Sequence, residues 1–163
     1  MTASDTSLLS LLQADARATP ETLAKRLGTT PDEVRAQIAD LEARRVILAY
    51  RAVIDEDRSG RDAVKAVIEV KITPEREGGF DRIAHRIAKF PEVTSCFLMS
   101  GGYDLLVFIE GKTMREVALF VSEKLATVQG VLSTGTHFML KPYKEHGVLL
   151  GAESAPERLA VSP

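Results

Sequence analysis

The chain has 163 residues and a formal net charge of -2, from 21 Lys and Arg against 23 Asp and Glu. A hydrophobic share of 45% is ordinary for a folded globular protein and excludes a disordered chain. No bulk basic excess draws the whole chain to nucleic acid. The single cysteine, Cys96, excludes an internal disulfide framework, and His85, His137 and His146 do not fall with it at zinc-ligand spacings. With no signal segment and no run of about 18 apolar residues, the sequence is expected to be cytosolic, without a membrane partner. No cofactor is expected.

Charge does not divide the chain, since residues 1–60 carry -2 and residues 61–145 carry +1. The hydrophobic period does, near residue 60. Leu8, Leu11 and Leu12 recur at helical spacing and predict a helix over about 5–15. Thr19-Pro20 starts a second helix with threonine at the N-cap and proline at the first helical position, and Gly28 stops it. Thr30-Pro31 starts a third, where Thr30 and Glu33 form a capping box. Val34, Ile38 and Leu41 give that helix one core face. After Arg44-Arg45 the pattern turns strand-like through Ile47, Leu48, Tyr50, Val53 and Ile54, a candidate extended hairpin. Three helices with a very short link between the last two, then an extended segment, are the layout of a winged helix-turn-helix. A plain three-helix interaction module has the same outline.

Residues 55–62 are a linker, followed by an alternating strand in which Val64, Ala66, Ile68, Val70 and Ile72 point one way. Phe80, Ile83, Ala84, Ile87 and Phe90 predict a helix closed by Pro91. Two strands, 93–99 and 103–109, flank a Ser100-Gly101-Gly102 turn and predict a hairpin. Thr113 and Glu116 form another capping box, and Met114, Val117, Val121 and Leu125 mark the apolar face of the next helix. Residues 131–140 form a last strand. The order βαββαβ is ferredoxin-like, so the fold class is α+β. The two helices cover one sheet face; the other, with Val67 on it, is left open for association. The expected domains are 1–54, a DNA-binding unit, and 63–145, an effector-binding and oligomerisation unit. A tail follows over 146–163, fraying after Leu150.

This combination resembles the Lrp/AsnC (feast/famine) transcription regulators. The resemblance runs over about residues 5–145. It is carried by the stretch 8–17, by Leu23-Ala24-Lys25-Arg26-Leu27-Gly28, and by Val34, Ile38, Leu41 and Glu42. Pro91-Glu92-Val93, Ser100-Gly101-Gly102-Tyr103-Asp104-Leu105, Thr134 and Thr136 continue it. The resemblance implies an N-terminal unit that binds double-stranded DNA as a dimer. It also implies a C-terminal (RAM-type) domain that assembles into a homodimer, with an octamer as a larger form. A small effector, commonly an amino acid, would bind near the Gly-x-Tyr-Asp turn and change assembly or DNA affinity.

The residues support an effector site there. Gly101 and Gly102 let a ligand approach the backbone, and their N–H groups suit a carboxylate. Asp104 suits an ammonium. Thr134 and Thr136, two apart, share a strand face. Ser100 and Tyr103 complete the turn. The same residues also read as a simple hairpin turn with Asp104 bonded to its own backbone. For DNA, Arg35 is the first candidate for a base contact and Gln37 a second. Thr29 and Thr30 share the expected DNA face with Arg35, Thr19 and Thr30 lie at helix starts that suit phosphate, and Arg44, Arg45 and Arg51 surround the wing. Ala36, Gln37, Ala39 and Asp40 stand where the family often has Arg or Lys. That departure opens the alternative of a small-molecule sensor that has mostly lost DNA binding. The sirohaem decarboxylases, enzymes that look like this family, typically carry His-Asn-Tyr where this chain has Thr94-Ser95-Cys96-Phe97.

Overall fold

The computed structural model describes residues 2–74 and 79–151. Two compact units divide the chain after Val53. The first holds α1 (Ala3–Ala14), α2 (Pro20–Leu27) and α3 (Pro31–Ala43). Each begins at a threonine whose hydroxyl accepts a backbone N–H, Thr2, Thr19 and Thr30 in turn. That replaces one of the partners a helix start lacks. Gly28 ends α2 at φ 68, a conformation costly for any residue with a Cβ. Leu8, Leu23, Val34 and Leu41 are wholly buried between the three helices. Each contributes about 1.5–3 kcal/mol by leaving water.

The wing is the first correction. Residues 46–54 form no strand. Val46 and Ile47 donate to the Leu41 carbonyl, and Ile47 packs on the helical core. Leu48, Tyr50 and Ile54 stay exposed. An extended segment needs a second strand for its backbone groups, and among the described residues the first unit contains none to supply them.

In the second unit, short α4 (Glu56–Ser59) fills the predicted linker and β1 (Val64–Ile72) follows. Then come α5 (Asp81–Ala88), β2 (Val93–Leu98), β3 (Leu105–Gly111), α6 (Met114–Leu119) and β4 (Val131–Phe138). The sheet is antiparallel in the order β2-β3-β1-β4, with β1 between β3 and β4. Ala66, Ile68, Val70 and Ile72 alternate into the core, where Ile83 and Ile87 of α5 meet them.

The last helix also departs from expectation. α6 continues as a π-helical segment, Phe120–Leu125. Its hydrogen bonds span five residues, as in Ala126 N–H to Val121 O, which widens the turn so that Phe120 and Leu125 both reach the core. Met114 is exposed instead, and Val121 is half-buried. The Thr113 box is also altered, since Glu116 accepts from Lys112 N–H rather than from Thr113.

Where a tail was expected, β5 (Lys144–Glu145) and β6 (Val148–Leu149) form a hairpin. Its two turn residues, His146 and Gly147, both have positive φ, as the tight two-residue hairpin requires. Lys65 of β1 ties this hairpin and α4 to the sheet, 3.9 Å from Glu145 and 3.0 Å from Glu56. Burial alone would lower the Lys65 ammonium, but Glu56, Glu145 and Glu110 together hold it above its ordinary value. The expected fraying of the tail lies outside the described residues.

Candidate functional site

At the helix-turn-helix, most candidate DNA contacts already have partners. Arg35 Nη2 is 2.5 Å from Glu21 of α2, and Nη1 is 2.6 Å from Asp32. Thr29 donates to the Glu33 carboxylate, which also takes the Thr30 N–H. These hydroxyl and backbone bonds hold the Glu33 carboxyl below its usual range. Thr19 Oγ1 accepts the Thr22 N–H at 3.3 Å.

Gln37 is engaged within the helical unit. Its amide reaches α1, 2.8 Å from Asp5 Oδ1 and 3.2 Å from Ser4 Oγ. Asp5 is 6% exposed and takes the Thr2 N–H at 2.8 Å. That bond first, then Gln37 and Arg44, lower its carboxyl to about 2. Arg44 stands 2.7 Å from Asp40 and 3.6 Å from Asp5, so it also serves the helix packing. Sequence spacing could not pair Gln37 with Asp5, 32 residues away.

Arg45 closes α3 at φ 57, unusual for a residue with a side chain. Arg45 and Arg51 are exposed with no carboxylate ion pair among the described residues, as are Lys25 and Arg26 of α2. Tyr50, expected near the wing, donates to Glu42 at 2.9 Å.

In the second unit, the Ser100–Gly102 turn is exposed, and nothing lies within 4 Å of where a Cβ would stand on Gly101 or Gly102. Tyr103 is half-buried. Asp104 does not cap its own turn. Its Oδ2 accepts the Ile72 N–H at 2.8 Å, while its own N–H goes to Val70 O at 3.0 Å. The side chain thus carries the β1–β3 ladder one bond further. One carboxylate oxygen is therefore committed to β1.

Thr134 stands opposite Val70, and Thr136 opposite Ile68. Opposed residues share a sheet face, so both hydroxyls lie on the helix-covered side. Leu105 and Thr134 both face Val70, from β3 and β4. The turn and Thr134 thus come to the same end of the sheet, two strand spacings or about 10 Å apart. None of Ser100–Asp104, Thr134 or Thr136 lines either of two cavities, of about 620 Å³ on α5 and about 240 Å³ beside Glu92.

The open sheet face carries Val67, Leu106, Phe108, Ser95 and Phe97, by register. Phe97 and Phe108 meet edge-to-face with ring centroids 6.0 Å apart. His137 is on this face too, opposite Val67, with Nε2 3.5 Å from Glu69 Oε1. That acid partner was invisible in the sequence. The Pro91-Glu92-Val93 motif proves structural in part, because Glu92 Oε1 is 2.5 Å from Lys124 Nζ on the π-helical segment. The lysine holds the Glu92 carboxyl below its ordinary value. Cys96 is half-buried against the core, and burial pushes its thiol up.

Comparison with known proteins decides the family. The profile described as Lrp/AsnC ligand binding domain matches residues 65–149, and that of the AsnC-type helix-turn-helix domain matches residues 1–42. The chain belongs to the Lrp/AsnC family. It is 46% identical over 164 residues to the HTH-type transcriptional regulator YugG of Bacillus subtilis, covering 100% of this chain and 99% of that protein. It is 27% identical to the proline dehydrogenase transcriptional activator of Rhizobium radiobacter, over 88% of this chain and 92% of that one. Among solved structures, the transcriptional regulator NMB0573 from Neisseria meningitidis, crystallised as an L-Met complex, superposes with a TM-score of 0.67. It has 26% identity and covers 89% of this chain and 93% of its own. AsnC of E. coli shares the fold, with a TM-score of 0.65 at 18% identity over 89% and 95% of the two chains.

This Lrp/AsnC chain is therefore a transcriptional regulator with a helix-turn-helix unit and a ligand-binding unit. These relatives favour neither the sensor without DNA binding nor the sirohaem enzyme. Among the described residues, no helix is long and apolar enough to cross a membrane.

Proposed function

We propose that this regulator binds promoter DNA through α2 and α3 and that an amino acid, bound at the Ser100–Asp104 turn, alters that binding or the assembly behind it. The observation that carries the reading is the turn itself: two exposed glycines at the sheet end where Thr134 also lies, on a chain that begins with a helix-turn-helix. The relative crystallised with L-Met makes amino acids the first class to try. The turn is a shelf rather than a closed pocket, so a second copy of the chain completes it. Arg35 is the base-contact residue; Thr19, Thr29, Thr30, Arg44, Arg45 and Arg51 support the phosphates. Protomers pair through the open sheet face, where Phe97 is 51% exposed and burying it drives association.

A gel shift on the DNA upstream of its own gene, with and without each amino acid, tests this reading. Arg35→Ala should weaken the shift, and one or more amino acids should move it. No shift at any protein concentration, with amino acids still raising the melting temperature, would favour the sensor that has lost DNA binding. One observation supports that second reading: α3 carries four carboxylates against one arginine, a formal charge of -3.

A further inference from the structure

The recognition helix is acidic, yet a basic stripe lies elsewhere on the chain. On α5 and its C-cap, Arg82, His85, Arg86 and Lys89 fall at i, i+3, i+4 and i+7, which is one face of a helix. All four are exposed. The opposite face is Ile83 and Ile87, both buried in the core, so packing holds the stripe outward. The stripe lines a groove of about 620 Å³ together with Asp81 and Gln129. Among the described residues, three cations against one carboxylate give this lining +2 with His85 counted as neutral, and one of the three, Arg82, has an interaction of its own. Helix α3 has -3.

We propose that this groove is a second, sequence-independent contact with the backbone of duplex DNA, in which Arg86 and Lys89 hold phosphates. The inference rests on the DNA-binding reading above and extends it to the ligand-binding unit. Lys and Arg on phosphates supply much of the affinity of a DNA-binding protein, by releasing condensed counterions. Helix α3, with one arginine held by two carboxylates, is poorly equipped for that task. From Arg86 to Lys89 the pair runs about 4.5 Å along the helix axis. That is close to the axial rise of about 3.4 Å between successive phosphates on one strand. The Gln129 amide adds a donor of the kind that bonds phosphate oxygens. Arg82 has an interaction of its own in the protein, so the contact is assigned to Arg86 and Lys89.

The test uses the full chain and labelled duplexes, one from upstream of its own gene and one of mixed sequence. Affinity is read by anisotropy between about 50 and 200 mM salt. The double variant Arg86→Gln, Lys89→Gln keeps good helix formers at exposed positions, and circular dichroism confirms its fold. Its log-affinity against log-salt slope should fall by about 1.8 per engaged chain, equally on both duplexes. Asp81→Asn should act in the opposite direction and tighten both, which a folding defect would not do. An unchanged slope in the double variant, or weaker binding by Asp81→Asn, overturns the inference and leaves the DNA-binding reading standing. A wild-type chain that binds neither duplex overturns that reading and the inference with it. An unchanged slope together with loss of a phosphate-induced rise in melting temperature assigns the groove to a small anion and overturns the DNA contact.

Discussion

Glu21 restrains Arg35, and removing its charge should strengthen DNA binding. Its Oε1 lies 2.5 Å from Arg35 Nη2, and Asp32 holds the other nitrogen at 2.6 Å. The Glu21 carboxyl is held below its ordinary range, first by its own backbone N–H and then by Thr19 and Arg35, so it is charged at neutral pH. Both pairs are solvent-exposed, with Glu21 at 55% and Asp32 at 94%. Such pairs are worth about 0–1 kcal/mol, so Glu21→Gln should leave stability nearly unchanged.

The effect on DNA adds over the two subunits of a dimer. A carboxylate about 7 Å from a phosphate costs roughly 0.6 kcal/mol in water before salt screening. That is about 2- to 3-fold per subunit, or roughly 4- to 10-fold for a dimer on two half-sites. Anisotropy titration of promoter DNA at low and physiological salt reads this directly. Arg35→Ala should weaken the same titration by about 1–3 kcal/mol. In the double variant the two effects should fail to add, because Glu21 acts partly through the arginine it holds. Weaker or unchanged binding by Glu21→Gln, with Arg35→Ala indistinguishable from wild type, would refute both the placement of Arg35 on DNA and the restraint by Glu21.

Gly130→Ala should destabilise the second unit by about 2–4 kcal/mol, the sum of a strained positive φ and overpacking. Gly130 sits at φ 96, and a Cβ there would lie 2.4 Å from Ile83 Cδ1. Urea unfolding followed by circular dichroism measures the change. Leu41→Ala empties a fully buried site between the three N-terminal helices and should cost about 2–5 kcal/mol by the same measurement. Asp5 predicts an acid transition. Its carboxyl titrates at about 2 in the folded chain and near 3.8 when unfolded, so its contribution is complete above pH 4 and is lost as pH falls toward 2. Asp5→Asn should flatten that part of the stability-versus-pH curve, and an unchanged curve would contradict the assignment.

What the sequence makes legible here is local. Thr30, Pro31 and Glu33 announce the start of α3 because their bonds span three residues. The alternation of Val64 through Ile72 announces β1 because a strand exposes its period directly. The misses involve distance or register. Asp104 bonds Ile72, 32 residues away, and nothing in a Gly-Tyr-Asp turn reveals that partner. Gln37 is drawn to Asp5 for the same kind of reason. The π-helical turn moves Phe120 inward because five residues replace four, which a fixed 3.6 period misreads. Ile47 to Ile54 look like strand, but a period of two says nothing about whether a second strand exists to pair with them. His146-Gly147 lies where composition suggests only a tail, although a glycine-containing pair between short extended segments is itself a hairpin signal.

The central claim is that one chain couples DNA binding to an amino acid at the Ser100–Asp104 turn. The direct measurement is the affinity of the full-length protein for its upstream DNA, titrated with and without each amino acid, in wild type and in Gly102→Val. Gly102 has open space around a Cβ and no positive φ, unlike Gly101 at φ 153, so a bulky side chain is accommodated there and shields the backbone N–H groups. The account predicts that at least one amino acid shifts the DNA affinity of the wild type. It predicts that Gly102→Val binds DNA like the wild type and loses that response. An amino-acid response that persists in Gly102→Val, or DNA binding that no amino acid alters, would contradict it.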